Sequence, residues 1–381
     1  MLDISEYFGI GSGGIRTYLN AKSVWVTGHP EWRQCLVVPA REDAVVEGDG
    51  VRRYELAAPP IPGNAPYRFL YSVPATRRIL RHERPDLIEI GSHLLAPWVT
   101  RAARRGLDIP CVWFYHGHLP RLVVPDRAVG ALQRTAERIA WRYVRRLARG
   151  CRAVLVASPY LANELAEHGV ENTVVVPLGV DLDHFHPRRR PAAGETRRRA
   201  GLPDAPLALF AGRLAREKQL DVVLDGWAAV ERRTGARLAI LGDGPRLAEL
   251  QRHPYAARVA WLPFETDRER FADLLAAVDV YLAPGPYETF GLSALEAIAS
   301  GTPVLSVDRG GVAERVEASG SGVLFPFNDP AGLAAAAISL FQSDLLALGV
   351  AGRRHAERHH GWDAAFTQLF TIYRQLLGRA G

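Results

Sequence analysis

The segment Pro286-Tyr287-Glu288-Thr289-Phe290-Gly291-Leu292-Ser293-Ala294-Leu295-Glu296-Ala297 reads as a Pro/Gly loop that opens into a helix. A glycine at 291 lets the backbone come close to a ligand. The first amides of a helix have no partners within it, and they favour an anion in front of them. Phe290, Gly291 and Leu292 are therefore candidate contacts for a phosphate. Glu296 follows about one turn later, an acceptor suited to ribose hydroxyls. Glu288 precedes the helix, where it would face a sugar ring. Two carboxylates beside an anion site require cations or hydroxyls to share it.

Suitable cations occur in Phe210-Ala211-Gly212-Arg213-Leu214-Ala215-Arg216-Glu217-Lys218. An apolar strand ends in glycine and then presents Arg213, with Lys218 five residues on. Ligands of open α/β sheets bind beyond the carboxyl ends of strands, where both residues fall. Arginine offers a planar fork for phosphate oxygens and lysine a compact charge. Together they would neutralise a departing diphosphate. Gly242-Asp243-Gly244-Pro245 ends another strand and by itself is only a turn. Leu262-Pro263-Phe264 ends a third, where it would frame a base.

The elements that must hold these residues alternate between short apolar runs and longer amphipathic ones, the pattern of βαβ units on parallel sheets. Strands are expected at 36–40, 87–91, 111–115, 154–157 and 173–176, with helical stretches at 67–83 and 129–149. The rhythm restarts with strands at 207–211, 237–241, 259–262, 280–283, 303–307 and 322–325. Helices are expected there at 219–232, 272–277 and 293–300. Residues 186–200 hold two prolines and two arginine triplets without apolar periodicity, and read as an interdomain linker running into a basic helix start. Domains of 1–186 and 187–361 follow, with a last helix over 362–381 packing back on the first. Its apolar positions are Phe366, Leu369, Ile372, Tyr373 and Leu376.

Composition suits a globular α/β protein of 381 residues, 48% hydrophobic and 23% charged. The length alone makes two domains the default. A net charge of +6 suits anionic partners without choosing among them. Cys35, Cys111 and Cys151 are scattered, which argues against a disulfide framework or zinc site and for buried thiols in a reducing compartment. Residues 1–10 lack the basic start and apolar core of a signal peptide, and no apolar run reaches the ~20 residues of a membrane span. The reading is a cytoplasmic protein whose membrane contact, if any, is peripheral.

Gly212-Arg213 with Lys218, Gly242-Asp243-Gly244-Pro245, and Glu288 and Glu296 separated by seven residues resemble the donor-site motifs of family 4 glycosyltransferases. The similarity extends through Thr302-Pro303-Val304 and Gly310-Gly311 and is dense over 205–330. The resemblance implies the GT-B fold, two Rossmann-like parallel-sheet domains facing a central cleft. It implies transfer of a hexosyl group, of mannose or glucose type, from a nucleotide-sugar with retention of configuration. No metal or other cofactor is implied. By the same resemblance Arg213 and Lys218 bind the donor diphosphate, Glu296 the ribose and Glu288 the donor sugar. Gly11-Ser12-Gly13-Gly14 resembles the family's glycine-rich loop, so Gly13 and Gly14 would approach the donor phosphate. A histidine at the end of the strand over 111–115 is placed near the transferred sugar; His116 takes that role, with His118 as the alternative. Where the family usually has asparagine this chain has Leu178, so no polar contact is expected there. GDP-mannose is favoured over UDP-glucose as donor, and the acceptor is a glycan or a lipid-linked one.

Arg134, Arg138, Arg142, Arg145, Arg149 and Arg152 recur at steps of three and four, which puts them on one helix face. Leu132, Ile139, Tyr143 and Leu147 would line the opposite face, with Trp141 beside the arginines. The arginine face reads either as a solvated surface or as a contact for an anionic membrane or acidic acceptor. Its arginines lack the interleaved aromatics of nucleic-acid binding. A phosphorylase or epimerase of the same fold, or a non-catalytic nucleotide-sugar-binding module, remain the alternative functions.

Overall fold

The computed structural model describes residues 1–9, 13–62, 67–120 and 130–378, and its contacts divide the chain into two units. The first comprises Met1–Leu178 and Trp362–Gly381, the second Gly179–Gly361.

The first unit is built on an eight-stranded sheet. Its strands are β1 (Leu2–Ile4), β2 (Gln34–Ala40), β3 (Ala44–Gly48), β4 (Val51–Ala57), β5 (Ile88–Ile90), β6 (Cys111–Phe114), β7 (Ala153–Val156) and β8 (Thr173–Val175). They lie in the order β3-β4-β2-β1-β5-β6-β7-β8, parallel except for the β3–β4 pair. The central strands β1, β5, β6 and β7 are buried along their whole length; β6 and β7 are continuous apolar runs, whereas β1 and β5 each carry a buried acid, Asp3 and Glu89, at the centre. The β3–β4 hairpin was not anticipated. Every residue of β3 is exposed and its sequence is ordinary surface sequence. The signal that marks it is Asp49-Gly50, with Gly50 in the left-handed region at φ 73°.

Helices cover the sheet, and their starts follow local chemistry. Ser72 caps the Val73–Glu83 helix by accepting from the Ala75 amide, and Ser158 caps Pro159–Glu167 through the Leu161 amide. Each has proline in its first turn, where the missing amide costs nothing. The Trp362–Leu376 helix lies against Gly14–Thr27 and is tied to a buried charge cluster. Lys22, fully buried, lies 2.8 Å from Asp3 and 3.0 Å from Glu89. The Tyr373 hydroxyl bonds both Lys22 and Glu89.

The Gly130–Ala148 helix carries the expected arginines, but its buried side is not the expected one. Ala140, Trp141, Val144, Leu147 and Ala148 face the core, whereas Leu132 and Ile139 are 65% and 63% exposed. The first half of the helix contributes none of the buried residues, and among the described residues nothing covers an apolar side chain there. Trp141 is buried and stacked on His168 at 3.7 Å, and it lines one pocket with Arg134, Arg138 and Arg145, beside the arginines as expected. Arg149 and Arg152 lie beyond the helix end.

The second unit is a six-stranded parallel sheet in the order β11-β10-β9-β12-β13-β14. Its strands are β9 (Leu207–Ala211), β10 (Arg237–Leu241), β11 (Val259–Leu262), β12 (Val280–Ala283), β13 (Val304–Val307) and β14 (Gly322–Phe325). Residues 186–200, read as a linker running into a basic helix start, do form that helix (Ala193–Arg199), but a short 3-10 turn stands in place of the linker and both are fixed to this unit. Arg189 pairs with Asp273 and Glu269, and Arg197 pairs with Asp279 and donates to the Ala277 carbonyl. Arginine triplets look like solvated linker in sequence, but here they find acceptors on the Arg268–Ala277 helix and next to it. The change of unit comes earlier, between Leu178 and Gly179.

Among the described residues no single helix is long and apolar enough to cross a membrane. One bent pair, Pro330–Phe341 with Leu345–His359, passes by composition, but Leu333, Ala337 and Leu340 of that pair are buried in the second unit's core. All three cysteines are free thiols, with the sulfurs of Cys111 and Cys151 3.7 Å apart.

Candidate functional site

In the second unit the loops that leave the carboxyl ends of β9, β10 and β12 converge. The turn after β9 is fixed by the turn after β10. Leu214 donates to the Asp243 carbonyl at 2.8 Å, and Gly212 to Leu241 at 3.0 Å. A Cβ at Gly242 would strike the Gly212 carbonyl, and one at Gly244 the Leu214 backbone. The glycines of Gly242-Asp243-Gly244-Pro245 are thus explained by this close approach, which positions Arg213. On the other side, the Tyr281 hydroxyl of β12 lies 3.0 Å from the Ala211 carbonyl and 2.8 Å from the Ser293 hydroxyl. It fastens the end of β9 to the first turn of the Leu292–Ala299 helix.

That helix opens at Gly291, which has φ 73° in the left-handed region. A side chain there would be strained and would also collide with Val312. Being glycine, it supplies no capping side chain, so the first-turn amides remain for a ligand or water. Phe290 just before it is buried, while Gly291 and Leu292 are partly exposed. The loop rests on the next turn: Gly311 donates to the Glu288 carbonyl at 2.8 Å, and a Cβ on Gly310 would crowd that same oxygen at 3.1 Å.

Lys218 and Glu288, seventy positions apart, form a direct ion pair. Burial opposes the Lys218 charge, but Glu288 more than offsets it and the lysine pKa rises, with Arg213 acting in the opposite sense. Lys218 is thus held charged beside the helix start. Glu296 is almost wholly buried, and burial pushes its carboxyl pKa upward against the pull of Arg268, whose guanidinium lies 2.8 Å from Oε1. Arg268 itself lies over the Phe185 ring at 4.8 Å. The arrangement suits an anion in front of the helix, with acceptors on either side for hydroxyls. Phe264, at the end of β11, is 46% exposed.

In the first unit Gly13 precedes the Gly14–Thr27 helix and both glycines are exposed. A Cβ on Gly13 would meet nothing within 4 Å, so packing does not require glycine there. Gly11 and Ser12 lie outside the described residues. His116 follows β6 with its ring stacked on Phe114 at 4.1 Å and tilted against Tyr18. Burial, reinforced by Lys22, lowers its pKa to about 3, so the ring is neutral at physiological pH. His118 is turned to Glu164, with Nε2 2.7 Å from Oε1. Leu178 is buried, an apolar side chain at the end of the unit.

Sequence reasoning missed a polar group at the carboxyl ends of β1 and β5. Glu6 accepts from the Leu95 amide at 3.0 Å and from the Ser92 hydroxyl at 3.0 Å. The Tyr7 hydroxyl lies 2.9 Å from His93 Nε2, and burial lowers the His93 pKa to about 4. The available signal was the position of these residues directly after strands. Arg268 was missed as well; nothing in its charged surroundings distinguishes it.

Two α/β units, each built on a largely parallel sheet, are the architecture of the GT-B class of nucleotide-sugar glycosyltransferases. Comparison with known proteins agrees. The family model for group 1 glycosyl transferases matches residues 205–343, and that for glycosyltransferase family 4 matches 32–184. A GDP-mannose-dependent alpha-(1-6)-phosphatidylinositol dimannoside mannosyltransferase of Mycobacterium tuberculosis is 36% identical over 311 residues, 80% of this chain and 78% of that one. A GDP-mannose-dependent alpha-mannosyltransferase of the same species is 31% identical over 304 residues, 79% and 76% of the two chains. The solved structure of sucrose-phosphate synthase from Thermosynechococcus elongatus superposes with a TM-score of 0.80 at 23% identity, covering 99% of each chain. The chain belongs to glycosyltransferase family 4, and it is a glycosyltransferase.

Proposed function

We propose that the enzyme transfers a mannosyl group from GDP-mannose, with retention of configuration, to a lipid-linked glycan acceptor. The observation that carries the donor half is the Lys218–Glu288 pair beside the Gly291 helix start. Mannose and a glycolipid acceptor are supported by relatives named for GDP-mannose and for a phosphatidylinositol mannoside. UDP-glucose is the second donor to test.

In this reading Arg213, Lys218 and the amides of Gly291 and Leu292 receive the donor diphosphate, with Phe290 setting the loop. On donor binding Lys218 exchanges part of its contact with Glu288 for a phosphate oxygen, and Glu288 turns to the sugar hydroxyls. Glu296 accepts from the ribose. His116, Gly13 and Gly14 carry the roles given by the family resemblance, His116 toward the transferred sugar and the glycines toward the donor phosphate. A neutral His116 fits hydrogen bonding to a sugar hydroxyl better than proton storage. The acceptor hydroxyl attacks from the face that the diphosphate leaves, and the leaving phosphate takes its proton. The protein's part is then electrostatic, stabilising charge as it develops on the diphosphate. No metal is invoked.

The helix Gly130–Ala148 supports peripheral membrane contact on the cytoplasmic face. Its first half leaves Leu132 and Ile139 exposed among Arg134, Arg138 and Arg142, the composition of a helix lying in a lipid interface.

Incubation with GDP-mannose and a phosphatidylinositol mannoside tests the activity. The expected result is free GDP equal in amount to a lipid carrying one further α-mannosyl group. A β-linked product, or turnover with UDP-glucose alone, would overturn the stereochemistry or the donor assignment respectively.

A further inference from the structure

Arg315 is a buried arginine without a carboxylate partner. It lies in the Gly311–Ser319 helix, directly after the turn that supports the Glu288–Gly291 loop, and is 5% exposed. Its Nη1 donates to the Phe290 carbonyl at 2.8 Å, and its guanidinium lies 3.9 Å over the centre of the Phe290 ring. Its Nε is buried and has no hydrogen-bond partner. The Glu314 and Glu288 charges act on it only from a distance, and burial lowers its pKa to about 9. No ion pair joins it to either of them among the described residues.

Burying a guanidinium without an anion is costly. Filling the same space with an apolar side chain would remove that cost. What the arginine does instead is specific to the loop. It grips the carbonyl of the residue immediately before Gly291, so it fixes the direction of the amides that follow. It also puts a full positive charge behind those amides, in a water-poor setting where Coulomb interactions are weakly screened. Both effects favour negative charge in front of the helix start.

We infer that Arg315 is a positioning residue for the donor diphosphate, holding the Phe290–Gly291 loop and supplying from behind it the positive charge that selects a diphosphate over a monophosphate. This rests on the donor site proposed above. Arg315 does not touch the ligand; it acts through the Phe290 backbone and through its field.

The test measures affinity for GDP and GMP, and for UDP and UMP, by calorimetry on wild type and variants. The quantity read is the ratio of the monophosphate to the diphosphate dissociation constant. Arg315→Met and Arg315→Gln, both neutral, are expected to lower that ratio about tenfold, on the scale of one charge–charge contact. Arg315→Lys should restore most of it. A merely structural arginine would weaken both nucleotides alike and leave the ratio unchanged. An unchanged ratio in a folded neutral variant overturns the inference. A measurement on unaltered protein stands beside it: the Arg315 Nε–H resonance should shift on adding GDP and stay in place on adding guanosine. A resonance indifferent to GDP overturns the inference even if neither neutral variant folds. Wild type that binds none of the four nucleotides would instead refute the donor site itself.

Discussion

Lys218 is where the donor site is most exposed to test. Its charge is held, half-buried, beside Glu288, and a preorganised cation of that kind is worth about 10²–10³ in kcat. Lys218→Ala should therefore lower kcat at least about 10²-fold with the lipid acceptor; a steady-state rate near wild type would remove it from the site. His116 offers a different measurement. Its folded pKa, about 3, lies below the ordinary histidine value. As pH falls from about 6.5 the unfolded chain takes up a proton that the folded one refuses, so this group subtracts stability on acidification. By pH 5 the loss approaches about 2 kcal/mol. Asp3, raised to about 6 by burial, acts in the opposite sense, so the contrast must be between variants. Urea unfolding of His116→Gln should lose less stability than wild type between pH 7.5 and pH 5; equal losses would show that the ring is not held neutral. Arg213, Lys218, Glu288 and Glu296 stood out as candidates because each follows a strand or opens a helix in a recognisable local string. Arg268 and Arg315 were not, because an arginine on a charged helix reads as a solvated residue until its burial is known.

The elements owe their legibility to burial. Parallel strands covered on both faces are continuous apolar runs, and five of the six second-unit strands fall on the expected residues, with β13 one residue shorter. The β3–β4 hairpin escaped because an exposed edge has no such run. The start of the Gly130–Ala148 helix misled for the converse reason: Leu132 and Ile139 have helical spacing but no core beneath them among the described residues. If that half-helix meets lipid, the protein should co-sediment with vesicles of phosphatidylglycerol and not of phosphatidylcholine. Each arginine contributes about 1 kcal/mol near an anionic surface, so reversing Arg134 and Arg138 to glutamate should weaken binding at least about thirtyfold. Sedimentation indifferent to lipid charge at low salt would discard the membrane contact. The Trp362–Leu376 helix gives a stability test. Lys22 neutralises Asp3 and Glu89 and bonds Tyr373 of that helix. Lys22→Met would leave two buried carboxylates uncompensated, at a cost of about 3–5 kcal/mol. It should also speed proteolysis of the C-terminal helix. A variant as stable as wild type would show that the cluster contributes little.

At the scale of the molecule, the chain divides into two units that the order of elements foretold, the second a parallel sheet and the first parallel except for its β3–β4 edge. The position of the division was less legible. Residues 186–200 resemble a linker in composition, yet their arginines are bound to the second unit by ion pairs that join residues about eighty positions apart. Sequence shows such charges but not their partners. The proposed activity depends on one placement above all, that of a diphosphate at the amino end of the Leu292–Ala299 helix. A crystal structure of the protein with GDP reads it directly. Diphosphate oxygens are expected about 3 Å from the Gly291 and Leu292 amides and from Lys218 Nζ, with the ribose at Glu296. A diphosphate bound elsewhere, with the Lys218–Glu288 pair undisturbed and the helix start facing water, would contradict the account.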